Sequence, residues 1–95
     1  MSKKRDKLQI IYDILRVIQD RNGKVKPTQI LYKSNLSHQM MDEYLRELVK
    51  KEFVLETHQG KSRTYSLTQK GFDYVHKYRS VMEFMNSFGL SDDES

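Results

Sequence analysis

Between Ser37 and Phe88 the spacing of apolar residues changes twice, and this feature limits the possible folds more than any other. Met41, Leu45 and Leu48 recur at steps of three and four, the period of a helix with one buried face. After Phe53 the pattern alternates, in Val54-Leu55-Glu56-Thr57-His58 and again in Arg63-Thr64-Tyr65-Ser66-Leu67, as in two strands with one covered face. Gln59-Gly60-Lys61-Ser62 joins them, and Gly60 is free to take the positive φ of a tight hairpin. Thr68 then offers a hydroxyl to cap a last helix running from about Gln69 to Phe88.

Upstream, Leu8, Ile11, Leu15 and Ile18 form a helical stripe that Ile14 broadens, with Ile10 and Val17 beside it, so residues 5–21 read as an amphipathic helix. Asn22-Gly23 supplies a left-handed stop. Pro27 suits the first turn of a second helix, which Ile30, Leu31 and Tyr32 carry to about Lys33 before Asn35 breaks it. Leu36 lies in the turn, and Ser37 is the expected N-cap of the third helix. On that helix Tyr44 and Val49 border the apolar face, while Gln39, Met40, Glu43, Arg46, Glu47 and Lys50 project from the other side. Val25 is placed to add a short strand beside the hairpin. The order is helix, helix, helix, hairpin, helix, a mainly α chain with a small β-hairpin.

A chain of 95 residues with 37% hydrophobic content fits one small domain, with a core small enough that association helps to complete it. No stretch approaches the ~20 apolar residues of a membrane span, so the chain reads as soluble and intracellular. It has no cysteine, which excludes disulfides, thiolate metal sites and cysteine nucleophiles. His38, His58 and His76 lack ligand spacing, the glycines are scattered, and no serine sits in a nucleophile pattern; neither enzyme, metal, cofactor nor small-molecule substrate is expected. The net charge of +4 conceals alternating blocks. Residues 1–33 carry nine Lys/Arg against three acids, 34–60 three against five, 61–79 five against one, and 80–95 none against four. Two basic blocks of this kind suit a polyanion.

Two helices joined by a tight turn, the second followed by a hairpin, make the arrangement called a winged helix-turn-helix. A helix about 10–12 Å across fits the ~12 Å major groove of duplex DNA, so side chains at its N-terminus reach base edges while surrounding cations neutralise phosphates. The candidates at the tip are Ser37, His38 and Gln39, with Met40 positioned for a thymine methyl. Lys61 and Arg63 on the wing are the candidates for backbone phosphates, with Gln29 and Lys33 on the helix that crosses the backbone. Lys3, Lys4, Arg5 and Lys7 are candidates for a basic arm.

The stretches ILYKSNLSHQMMDEYLRELVKKEFV and YSLTQKGFDYV also resemble a known family, the small archaeal winged-helix proteins of the Sulfolobus ten-a chromatin protein type. The shared elements are the turn Asn35-Leu36-Ser37, the Y-L-x-x-L helix at Tyr44 to Leu48, and the wing closing on L-T-x-K-G at Leu67 to Gly71. The resemblance covers about residues 7–88. It implies double-stranded DNA as partner, a cytoplasmic and nucleoid-associated place, a role in transcription regulation or chromatin, and pairing of the last helix as an antiparallel coiled coil. Where such proteins often have glycine at the end of the third helix, this chain has Glu52-Phe53.

In the last helix Val75, Tyr78, Met82 and Met85 form one stripe, and Tyr74, Val81, Phe84 and Phe88 a second. Phe72 and Val75 are expected to close the core, leaving the part beyond Tyr78 without cover. Burying Val81, Met82, Phe84, Met85 and Phe88 on a partner contributes about 8–15 kcal/mol gross per chain, against an association cost of order 4–15 kcal/mol. A two-fold homodimer paired through residues 74–88 is expected. Residues 1–71 then form the DNA-binding unit, 72–90 the dimerisation helix and 91–95 a disordered acidic tail. The competing reading is a winged-helix protein-protein interaction module without DNA binding, docking through the acidic face of helix three and the apolar last helix.

Overall fold

A computed structural model of the chain describes residues 5–21 and 24–90. Its elements are α1 (Lys7–Asp20), α2 (Pro27–Ser34), α3 (His38–Lys50), β1 (Val54–Gln59), β2 (Ser62–Leu67) and α4 (Gln69–Ser87). The expected stop at Asn22-Gly23, Lys3 and Lys4 of the basic arm, and the tail 91–95 lie outside the described residues.

Each helix starts on a side chain or backbone arrangement suited to it. Asp6 and Gln9 form a reciprocal capping box on α1, with the Gln9 N–H donating to Asp6 Oδ1 at 2.8 Å and the Asp6 N–H to Gln9 Oε1 at 3.0 Å. Pro27 opens α2 at a position where its missing N–H is not needed. Ser37 and Thr68 cap α3 and α4, accepting from the amides of Met40 and Gly71. Asn35, at φ 57, takes the left-handed residue of the turn between α2 and α3.

The core lies between α1, α2, α3 and the hairpin. Ile14, Leu15 and Ile18 of α1 meet Ile30 of α2, Met41, Leu45 and Leu48 of α3, Val54 and Tyr65 of the hairpin and Val75 of α4. The strands are antiparallel, with Val54 opposite Leu67, Glu56 opposite Tyr65 and His58 opposite Arg63. Each strand runs one residue further than the alternation suggested. The loop is only Gly60-Lys61, with Gly60 at φ 60 in the first loop position of a two-residue turn. Val25 exchanges both backbone hydrogen bonds with Tyr65, at 3.0 and 2.8 Å, as the expected short third strand.

The end of α3 explains the L-T-x-K-G segment. Helix three closes with the Phe53 N–H donating to the Leu48 carbonyl and the Glu52 N–H to that of Val49, a Schellman motif with Glu52 at φ 67. Thr68 donates its hydroxyl to the Glu52 carbonyl at 2.6 Å and its amide to that of Phe53 at 3.2 Å. Lys70 reaches the Lys51 carbonyl at 2.9 Å, its ammonium 4.5 Å from the centre of the Phe53 ring. Gly71 is buried against Phe53. These contacts bind the start of α4 to the last turn of α3.

Tyr78 of α4 stacks on Tyr12 of α1 at 4.5 Å between ring centres, and Phe53 meets Tyr74 edge-on at 5.8 Å. Val75 closes the core as expected, at 1% exposed, but Phe72 does not, at 43%. The tight approach of Gly71 turns Gly71, Tyr74, Val75 and Tyr78 inward, and a residue next to Gly71 is rotated about 100° away.

Candidate nucleic-acid interface

Because Met41, Leu45 and Leu48 fix the inner face of α3, its first turn stands free of the body. Ser37, His38, Gln39 and Met40 are all exposed. The Gln39 amide reaches Glu43 at 3.3 Å along the same outer face. Lys33 is exposed at the end of α2, whereas Gln29 is half-buried and its Oε1 accepts from the Lys26 N–H at 3.0 Å, so its carbonyl serves the helix start. Arg5 ties this region to α1, pairing with Asp13 at 2.6 Å and donating to the Asn35 carbonyl at 3.1 Å.

The acidic outer face expected of α3 is smaller than its sequence suggests. Glu47 lies on the flank towards α1, between Lys51 at 2.9 Å and Lys7 at 3.1 Å. The hydrogen bonds from Lys51 and then Lys7 hold its carboxyl below the usual value, so it is ionised and neutralised by its partners. Lys7 of the expected basic arm is committed to that ion pair.

The wing rises on the opposite flank. Its alternation puts Val54, Glu56, His58, Arg63, Tyr65 and Leu67 on the face turned to α3, with Lys61 exposed at the tip. Asp42, Arg46 and Val49 of α3 and Glu56, Arg63 and Tyr65 of the hairpin line a cleft of about 220 Å³. The cleft thus brings Arg46 of α3 and the wing's Arg63 to one side of the molecule. Within the cleft a single carboxylate oxygen of Glu56 accepts from the Tyr65 hydroxyl at 3.2 Å and lies 3.5 Å from His58 Nε2 and 3.6 Å from Arg63 Nη1. Burial pushes the Tyr65 phenol up from its ordinary value, and Glu56 adds to this, so the hydroxyl stays a donor. Arg46, Glu56 and His58 are not among the sequence candidates for the interface. The alternation of the strands, read with the register, was the signal that pairs His58 with Arg63.

Of the eight residues expected to pair two chains, Val75 is in the core and Tyr74 and Tyr78 are half-buried on α1. Val81, Phe84 and Phe88 are 56–67% exposed, and Met82 and Met85 are half-buried beside them. Phe84 and Phe88 touch each other, with ring centres 5.1 Å apart. Among the described residues no cluster of His, Cys, Asp and Glu could hold a metal ion, and no helix is long and apolar enough to cross a membrane.

A family model described as winged helix-turn-helix matches residues 4–86. An uncharacterized protein of Methanocaldococcus jannaschii is 33% identical over 84 residues, 88% of this chain, which spans only 37% of that relative. The crystal structure of Sso10a-2, a DNA-binding protein from Sulfolobus solfataricus, is similar at a TM-score of 0.79 and 20% identity, covering 95% of this chain and 92% of that one. A winged-helix DNA-binding protein from STIV is similar at a TM-score of 0.69 and 17% identity, covering 82% of this chain and 90% of its own. The structural likenesses establish the fold that the sequence resemblance implied.

Proposed function

The chain belongs to the winged helix-turn-helix family, and from that premise we propose that it binds double-stranded DNA as a homodimer, as a transcription regulator or chromatin-associated protein of the cytoplasm and nucleoid. The observation that supports this reading is an exposed first turn of α3, Ser37 to Met40, on the helix whose Asp42 and Arg46 share a cleft with the wing's Arg63, while Lys61 is exposed at the wing tip. His38 and Gln39 read base edges and Met40 meets a thymine methyl, while Lys33, Lys61 and Arg63 hold phosphates and the amide nitrogen of Gln29 supports them. The pairing surface is the end of α4, around Val81, Met82, Phe84, Met85 and Phe88. Residues 1–71 act as the reading unit, and those from 72 on as the pairing helix, whose first half also covers α1.

Titration of duplex DNA at a series of salt concentrations tests the reading. Log affinity should fall against log salt with a slope of ~0.9 per neutralised phosphate. Lys61→Ala should weaken binding to all sequences alike, and Gln39→Ala should narrow the difference between a preferred and a scrambled site. Absence of duplex binding at low salt, or a flat salt response, overturns it. Exposed Val81, Phe84 and Phe88 also favour a second reading, a protein-docking module, which requires a partner whose binding survives Lys61→Glu with Arg63→Glu while DNA binding is absent.

A further inference from the structure

The wing presents its arginine to a carboxylate of its own chain. Glu56 is held in place by the strands, since Tyr65 stands directly opposite it and is itself fixed by its backbone bonds to Val25. The Tyr65 hydroxyl secures the carboxylate at 3.2 Å, while Arg63 approaches the same oxygen only to 3.6 Å, an ion pair longer than a hydrogen bond. Arg63 is the more exposed partner, its side chain 45% accessible against 25% for Glu56. Across the cleft Asp42 and Arg46 face this pair, and among the described residues Arg46 has neither ion pair nor hydrogen bond of its own. With two carboxylates and two guanidinium groups on its walls, the cleft is close to neutral.

On the DNA-binding reading above, we propose that Glu56 is a positioning residue that restrains the wing, keeping Arg63 over the cleft so that a backbone phosphate competes with the carboxylate for it. The exchange balances in charge. Arg63 passes from one anion to another, Glu56 keeps the Tyr65 hydroxyl, and the incoming phosphate finds Arg46 on the opposite wall. A phosphate oxygen in hydrogen-bonding geometry with a guanidinium makes a shorter contact than the 3.6 Å pair it replaces. The residue thus lowers affinity for any duplex alike and leaves the ratio between one site and another unchanged.

A double-mutant cycle on the full chain tests this, using a 20-base-pair duplex over a range of sodium chloride. Glu56→Gln keeps an acceptor for Tyr65 and should bind roughly two- to fivefold more tightly than the parent at low salt. Its salt slope should change by less than the ~0.9 of one phosphate, because Arg63 neutralises a phosphate in parent and variant alike. In the Arg63→Ala background the same substitution should have no effect on affinity or slope. Glu56→Thr, which suits a strand, provides a second variant if the first folds poorly. Equal or weaker binding by both variants, or a gain that persists without Arg63, overturns the proposal while leaving DNA binding intact. Loss of duplex binding by the parent chain overturns the DNA-binding reading and this proposal together.

Discussion

The carbonyl oxygen of Phe53 occupies the space that a side chain on Gly71 would need, so α4 begins in direct contact with the joint between α3 and β1. A methyl group there would also stand 3.2 Å from Leu67. Alanine is the better helix former by about 1 kcal/mol, but the overlap is with backbone and neither strand nor helix can retreat without loss of the Thr68 and Lys70 bonds. Gly71→Ala should therefore lower unfolding stability by roughly 1–3 kcal/mol net, read from urea denaturation. Unchanged or increased stability would mean that the joint gives way easily.

Glu52 carries the opposite liability. It takes φ 67 as the left-handed residue of the Schellman motif, a conformation that disfavours a side chain by about 1–2 kcal/mol. Glycine relieves this at an entropic cost of about 0.5–1 kcal/mol in the unfolded chain. Glu52→Gly should leave the protein roughly 0.5–1 kcal/mol more stable, and a lower urea midpoint would refute the strain.

Tyr74 links stability to alkaline pH. Burial, with smaller contributions from Tyr78 and Asp6, pushes its phenol up from 10.0 to about 12, and its hydroxyl donates to the Leu8 carbonyl at 2.8 Å. A group whose folded value is raised favours the folded state fully below its unfolded value and loses that contribution as pH climbs through the folded one. Stability should hold below pH 10.0 and decline towards about 12. Tyr74→Phe should be less stable at neutral pH yet decline less steeply over that window. Parallel declines in stepped-pH urea titrations would assign the effect to other groups.

The proposed pairing through α4 has its own test. Val81→Asp with Phe84→Asp places two carboxylates on the exposed stripe, and the variant should sediment as a monomer with its helix content unchanged. A mass equal to that of an associated parent would remove this surface from the interface, and a monomeric parent would remove the homodimer.

Much of this architecture is legible in the residues because local chemistry decides it. Ser37, Thr68 and Asn35 sit where caps and left-handed turns want them, and the two periods locate α3 and the hairpin without help from distant contacts. The Asp6-Gln9 box was equally local, but a run of basic residues hides it. Glu52 by its own chemistry does not announce a left-handed residue, and the sign of one was the glycine that similar proteins often carry at the end of the third helix. Phe72 looked like core because hydrophobicity does not record the sideways rotation that Gly71 imposes. The candidate interface divides in the same way. The free face of α3 follows from periodicity, whereas the meeting of Arg46, Glu56 and Arg63 depends on how the hairpin leans over the helix, and the commitment of Glu47 to Lys7 depends on where α1 begins.

Thr68 and Lys70 grip consecutive carbonyls, those of Lys51, Glu52 and Phe53, at the point where α3 ends. A joint pinned at three successive peptides resists hinging more than a single contact would. A change in the tilt of α4 is therefore expected to carry the end of α3 with it.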